Sequence, residues 1–269
     1  MIRQPIVAGK FYPNDKNSIK KQLNNFLINT VKEDCIACIM PHAGYDYSGK
    51  VATQTAASVQ IKENIILLGP NHTGLGGDFS IVSEGSWHTP LGDVKINSKI
   101  AEGIKKECQL VTEDSKAHAY EHSLEVELPI LQFLTNEEFS FVPLTLMPSS
   151  KNDYEALSKA IYKTILDLNI KDKTLIVASS DMTHYESQES AKKKDVLAIE
   201  AILNLDEDLL LKRLSQHNIS MCGNAPVIVA IITAKKLGAK KANLVLYQTS
   251  GETTGDYDAV VGYAGITIT

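Results

Sequence analysis

The 269-residue chain is predicted to fold as an α/β protein, with a central, largely parallel mixed sheet flanked by helices. Three observations predict this. Apolar runs of strand length alternate with segments at helical spacing. The runs are β-branched and unbroken, as in strands buried on both faces; a solvated face would place polar residues at every second position. Four of the runs also end in reactive side chains, and open α/β sheets bind ligands beyond the carboxyl ends of their strands.

Taken in order, IACIM (36–40) precedes the helical segment SGKVATQTAASV, and NIILLGP (64–70) precedes a Gly-rich loop. FSIVSEGSWHTPLGDVKIN (79–97) interrupts the alternation and reads as a hairpin excursion. FSFVPLTLM (139–147) leads into YEALSKAIYKTIL, and TLIVASSDM (174–182) into ESAKKKDVLAIEAIL. A helical region over 206–238 is followed by NLVLYQTSG and YAGITIT. No repeat, low-complexity segment or Pro/Gly/Ser-rich linker divides the chain, so residues 1–269 are expected to form a single domain.

Composition is ordinary globular, with 43% hydrophobic and 22% charged residues. Net charge is -5, and the only lysine triplet, Lys192-Lys193-Lys194, falls on a predicted helix, where it reads as a solvated face; no nucleic-acid surface is expected. MIRQPIVAGKFYPND carries no apolar core behind its charge, so no signal peptide is expected. The longest apolar run, APVIVAIITA (225–234), falls short of the roughly 18 residues a membrane helix needs. Cys35, Cys38, Cys108 and Cys222 are too few and too scattered for a disulfide scaffold. A soluble protein of the cytoplasm is the expectation.

The chemistry gathers at strand ends. IACIM runs into Pro41-His42-Ala43-Gly44, IILLG into Pro70-Asn71-His72, LIVA into Ser179-Ser180-Asp181-Met182-Thr183-His184, and LVLY into Gln248-Thr249-Ser250-Gly251. If those strands are parallel, the four clusters share one edge. CIACIMPHAGYDYSGKV (35–51) admits three readings. Gly44 to Lys50 has phosphate-loop spacing after a strand, yet Val51 stands where the magnesium-binding hydroxyl belongs, and Tyr45 and Tyr47 crowd the loop. Cys35 and Cys38 imply a metal pair only on one face, and residues three apart in a strand point to opposite faces. The third reading, a histidine ligand, gains from the repetition: His42 and His72 each follow an apolar strand, and imidazole suits iron, copper and zinc.

A mononuclear site wants a third ligand and an open position. Asp181, His184, His118, His122, Glu125 and Cys222 are candidates. Cys222 lies in SMCGNAP, before an apolar helix whose N-terminus favours a thiolate; a small buried turn residue is its bland alternative. Pro129 fits a first helical turn, leaving His118 and His122 mainly in a loop, His122 as a base or substrate contact and His118 on the surface. His88 and His217 carry no supporting context. SSDMTH holds serine, aspartate and histidine, but no G-x-S-x-G elbow exists in the chain. His184 as proton donor or acceptor, with Asp181 orienting it, is the more economical assignment.

PHAGYDYSG, LLGPNH, EHSLEVELP, SSDMTHY and MCGNAP, in this order, resemble the Memo family from GKFYP at residue 9 to the C-terminal YAG. The resemblance implies a fold like that of class III extradiol dioxygenases, which are non-haem iron enzymes. It places the family's metal ligands on His42, His72 and Cys222, with Asp181 and His184 beside the metal and His122 and Glu125 close by. His184, Asp181 and His122 are the expected catalytic residues, and Phe11, Tyr45 and Glu125 the expected substrate contacts. It implies iron or copper, redox chemistry, and radical-SAM and AMMECR-type partners; iron(II) is the first choice, and a soft thiolate ligand keeps copper or zinc as alternatives. Ring cleavage of a small aromatic and non-catalytic ligand binding are the competing functions. Asn224-Ala225 and Phe11 depart from animal members, which have a basic residue with histidine and a tryptophan at those places, and both changes count against their phosphotyrosine-peptide role, although non-catalytic peptide or ligand binding stays an alternative.

Overall fold

In the computed structural model, which describes residues 1–269, the chain runs through β1 (Ile2–Arg3), α1 (Lys16–Phe26), β2 (Ala37–Met40), α2 (Tyr45–Ala57), β3 (Asn64–Pro70), β4 (Phe79–Ile81), β5 (Ser86–Thr89), β6 (Gly92–Ile96), α3 (Ser98–Glu107), β7 (Val111–Glu113), α4 (Lys116–Ala119), α5 (Glu127–Leu134), β8 (Ser140–Leu146), α6 (Lys151–Asp167), β9 (Thr174–Ser179), β10 (His184–Glu186), α7 (Gln188–Leu203), α8 (Glu207–Gln216), α9 (Asn224–Lys236), β11 (Ala242–Thr249), α10 (Gly251–Thr254) and β12 (Val260–Ile268). The twelve strands form one mixed sheet. Its centre, in the order β8-β3-β9-β2, is parallel throughout. Antiparallel pairs lie at the margins, where β12 joins β2, β10 and β11.

Side-chain parity in the central strands creates two cores. Ile66, Leu68, Ile176 and Ala178 point into one with residues of α3, α6 and α9. Ile65, Leu67, Leu175 and Val177 point into the other with residues of α1, α2 and α5. Every residue of β2, β3 and β9 is buried, which is why these runs lack polar alternation. The APVIVAIITA run is a helix apolar all round because α9 packs between the sheet and α6. No helix is long and apolar enough to cross a membrane.

Three local expectations are corrected. Only β5 and β6 form the hairpin; β4 instead pairs with β7 and β8, where its fully buried FSI fits a sheet interior. Cys35 and Cys38 enter the same core, because Cys35 precedes β2 and does not follow its alternation. Residues 45–50 are not a loop: Gly44 caps α2, and the amides of Tyr47 and Ser48 are spent on its carbonyl.

Candidate metal centre

Because β2, β3 and β9 are parallel, the residues that follow them emerge on one edge of the sheet. His42, His72 and Asp181 each stand two residues past their strand. The loop between α4 and α5 carries Glu121 and His122 onto the same edge, and two glycines allow the close approach. A Cβ on Gly69 would sit 2.6 Å from Leu124 Cδ2 and 2.7 Å from Ser123 Oγ, so any side chain there would force the loop's buried side chains away from β3. A Cβ on Gly223 would collide with the Ser179 carbonyl, so glycine likewise lets the Cys222 turn reach the end of β9.

One ligand atom from each of His42, His72 and His122 lies within 4.8 Å of the others, a cluster able to hold a metal ion. The ring centres are 5.2 Å apart for His42 and His72, 5.6 Å for His42 and His122, and 4.7 Å for His72 and His122. Three imidazoles that each set a nitrogen about 2.1 Å from a shared ion have centres about 4.6 to 5.6 Å apart at bond angles of about 90 to 120°. The observed spacing matches. His42 is 2% exposed, whereas the side chains of His72 and His122 are 33% and 24% exposed, so the cluster is open on one side.

Hydrogen bonding fixes two of the rings. His72 Nδ1 donates to Glu121 Oε1 at 2.9 Å, leaving Nε2 free. Glu121 is fully buried and also accepts the backbone N–H groups of His72, His122 and Ser123. Burial pushes its carboxyl up, but these donors and the His72 ring outweigh it and hold the group down at about 2. His42 Nδ1 is 2.7 Å from Ser179 Oγ, and its backbone N–H donates to Asp181 Oδ1 at 2.9 Å. Burial, then the charges of His72 and His122, push His42 well below the ordinary histidine value, so it stays a neutral ring. Burial likewise lowers His122.

Cys222 lies beside this group, its Sγ 3.4 Å from His42 Nε2 and accepting the Asp181 N–H at 3.3 Å. The thiolate expected at a helix N-terminus is not what the surroundings favour: burial, then the Asp181 charge, raise the thiol far above its ordinary value. A metal ion there must displace a proton. Asp181 is itself buried and pushed up to about 6. His184 belongs to β10, and its Nδ1 is 3.0 Å from the Ser220 carbonyl, outside the three-histidine group.

The expected substrate contacts divide. Phe11 packs 4.9 Å from His122 and borders the open side. Tyr45 is buried, its hydroxyl donating to the Val126 carbonyl at 2.8 Å, and offers no surface to a ligand. Glu125 accepts from Arg3 Nη1 at 2.7 Å, from Tyr12 Oη at 2.8 Å and from the amides of Ile6 and Val7, so its carboxylate ties down the N-terminal segment that carries Phe11. His118, expected on the surface, is 1% exposed, with Nε2 near the Ser80 carbonyl and its ring against Trp87. Short α4 turns it inward. Sequence reasoning missed Glu121 and Glu127 and named Ser179 only as part of a strand-end cluster; the only signal for Glu121 was a carboxylate adjoining a candidate histidine.

The profile of a family described as Memo-like protein matches residues 3–267. The chain is similar to MEMO1 family proteins of Methanopyrus kandleri, 39% identical with 99% of this chain and 98% of that one covered, and of Aquifex aeolicus, 42% identical with 98% of both covered. A MEMO1 family protein of Methanococcus maripaludis is 42% identical over the full length of both. Its fold is similar to the crystal structure of an uncharacterized Escherichia coli K12 protein, with TM-score 0.54, 12% identity, and 85% of this chain and 98% of that one covered.

Proposed function

The chain belongs to the Memo-like protein family, and from that premise we propose that it is a mononuclear metal-binding protein that holds iron(II), ahead of copper or zinc, and that with iron or copper it serves redox or oxidative chemistry. The observation that carries the reading is the convergence of His42, His72 and His122 to within 4.8 Å, with Nδ1 of two of them already engaged and Nε2 left to coordinate. His42, His72 and His122 hold the ion, and Cys222 approaches as a fourth, soft donor from the His42 side. Nitrogen with thiolate sulfur suits iron, copper and zinc. When bound, iron or copper would supply one-electron redox chemistry or activation of a small oxidant, whereas zinc would act only as a Lewis acid. Phe11 and the exposed flanks of His72 and His122 border the side from which a substrate enters. His184 and Asp181 are placed to move or hold a proton beside it. Four unpaired cysteines suit a reducing compartment such as the cytoplasm. Radical-SAM and AMMECR-type proteins are the proposed partners, testable by co-purification.

Metal analysis of anaerobically reconstituted protein tests the ligand set, with wild type beside His122→Ala and Cys222→Ala. Loss of metal in His122→Ala with partial retention in Cys222→Ala supports three histidines and an accessory thiol. Full retention in His122→Ala with complete loss in Cys222→Ala makes the set His42, His72 and Cys222. Retention in both variants rejects a metal at this cluster.

A further inference from the structure

Beneath His42, on the side away from the open face, lies a carboxyl group for which the proposed chemistry has no use. Glu127 is fully exposed to the core and not to water: it is 0% accessible, its Oε1 is 2.9 Å from Ser179 Oγ, and its Oε2 has no hydrogen-bond partner. Such a group destabilises a core, and Glu127→Leu would remove the cost. A group so placed calls for a role.

The geometry points to Glu127 and Ser179 as a positioning pair that fixes His42 as the neutral ring with hydrogen on Nδ1 and the lone pair on Nε2. The inference rests on His42 being a metal ligand only for its consequence, and not for its test. The argument is a count of hydrogens. Ser179 has one hydroxyl hydrogen and three neighbours: His42 Nδ1 at 2.7 Å, the Ser123 carbonyl at 2.8 Å and Glu127 Oε1 at 2.9 Å. The carbonyl can only accept. With the hydroxyl hydrogen directed to it, Ser179 must accept from the other two, from His42 Nδ1–H and from Glu127 as the neutral acid. All three contacts are then satisfied at once.

The opposite tautomer breaks this arrangement. Hydrogen on His42 Nε2 would require Ser179 to donate to Nδ1, taking its hydrogen from the Ser123 carbonyl in a site without water access. It would also point an N–H into the cluster where a lone pair is needed. Neutral Glu127 agrees with its surroundings, since burial raises its carboxyl well above the ordinary value and Ser179 opposes this only in part. Glu127 touches no ligand. It acts by keeping the Ser179 hydrogen pointed away from His42.

The test reads the tautomer directly in metal-free protein, from ¹⁵N chemical shifts of the histidine side chains. Wild type and Glu127→Gln, whose amide N–H₂ can replace the acid O–H, are expected to show His42 protonated at Nδ1. Glu127→Leu and Ser179→Ala are expected to show a tautomer mixture while remaining folded, with Glu127→Leu at least as heat-stable as wild type. Cobalt(II) titration is expected to show affinity about 10- to 100-fold lower in both of these variants and unchanged in Glu127→Gln. An unaltered His42 signal in both Glu127→Leu and Ser179→Ala, or Nε2–H in wild type, overturns the inference. Were wild type to bind no metal while the tautomer responds as described, the metal reading would fall and the positioning pair would stand.

Discussion

On the β3 side of the centre, His72 is half-buried and leans on the ionised carboxylate of Glu121, whereas on the β2 side His42 is sealed from water and leans on the Ser179 hydroxyl with a neutral acid behind it. The two rings are equivalent in sequence, each two residues past a buried parallel strand. Their supports differ because the sheet has different neighbours on each flank. Glu121 reaches the first from a loop rich in backbone donors, which stabilise an anion. The second has, behind its ring, the Ser179 hydroxyl and the Glu127 acid. An anion behind His72 raises the basicity of that ring and offsets part of a cation's charge, while the neutral pair behind His42 contributes orientation.

The harshest way to break the comparison is to remove a ring. His42→Ala and His72→Ala are both expected to reduce metal affinity by more than the roughly 100-fold that a change in supporting residues produces. Anaerobic reconstitution followed by metal analysis checks this, with circular dichroism to show that the fold persists. An effect confined to one of them would mean that the two sides do not share an ion.

Two carboxyl-to-amide changes sharpen the contrast in metal-free protein. Glu121 is held at about 2 against an ordinary 4.5, so its stabilisation is complete above pH 4.5 and is lost as pH falls towards 2. Glu121→Gln at pH 7 is expected to cost about 3 kcal/mol. Asp181 is shifted the other way, to about 6 from 3.8, so its charge increasingly opposes folding as pH rises through that window. Asp181→Asn, whose Oδ1 still accepts the His42 N–H, is expected to raise the melting temperature at pH 7 by a smaller amount. Denaturant unfolding of both variants tests the pair, and a loss of stability in Asp181→Asn would remove the distinction.

A gentler probe is acid. His118 lies behind the His72 side, where Arg3 Nε donates to its carbonyl and Arg3 Nη2 to that of Glu121. Burial, then the Arg3 charge, lower His118 to about 4 from 6.5, so the unfolded chain binds the extra proton between these values and stability falls as pH drops from 6.5 to 4. The contribution is up to about 3 kcal/mol across that window. His118→Phe is expected to flatten the slope of melting temperature against pH there; an unchanged slope would mean the ring does not titrate on unfolding. The smallest expected effect on metal content is that of His184→Ala. Its ring is tied to Ser220 and lies outside the three-histidine group, so metal content should match wild type while substrate turnover is lost. Metal loss equal to that of His42→Ala would make His184 a ligand.

What was legible in the sequence follows from local rules. Unbroken runs such as NIILLGP and TLIVAS announced strands covered on both faces, and a strand ending in Pro-His or Pro-Asn-His announced ligands at one edge once the strands ran parallel. Period and position along a strand are properties of consecutive residues, so the sequence by itself determined the parallel centre of the sheet and the pairing of His42 with His72. Tertiary structure alone decided the rest. Cys35 shares a core with Cys38 because the chain bends before β2, and Tyr45 and Glu125 are spent on packing because α2 and the N-terminal segment close over them. His122 joins the histidines, and Glu121, Ser179 and Glu127 become their supports, through contacts between segments some 50 to 140 residues apart. Hydrogen-bond partners and burial are set by which segments the sheet brings side by side, and no local periodicity encodes that.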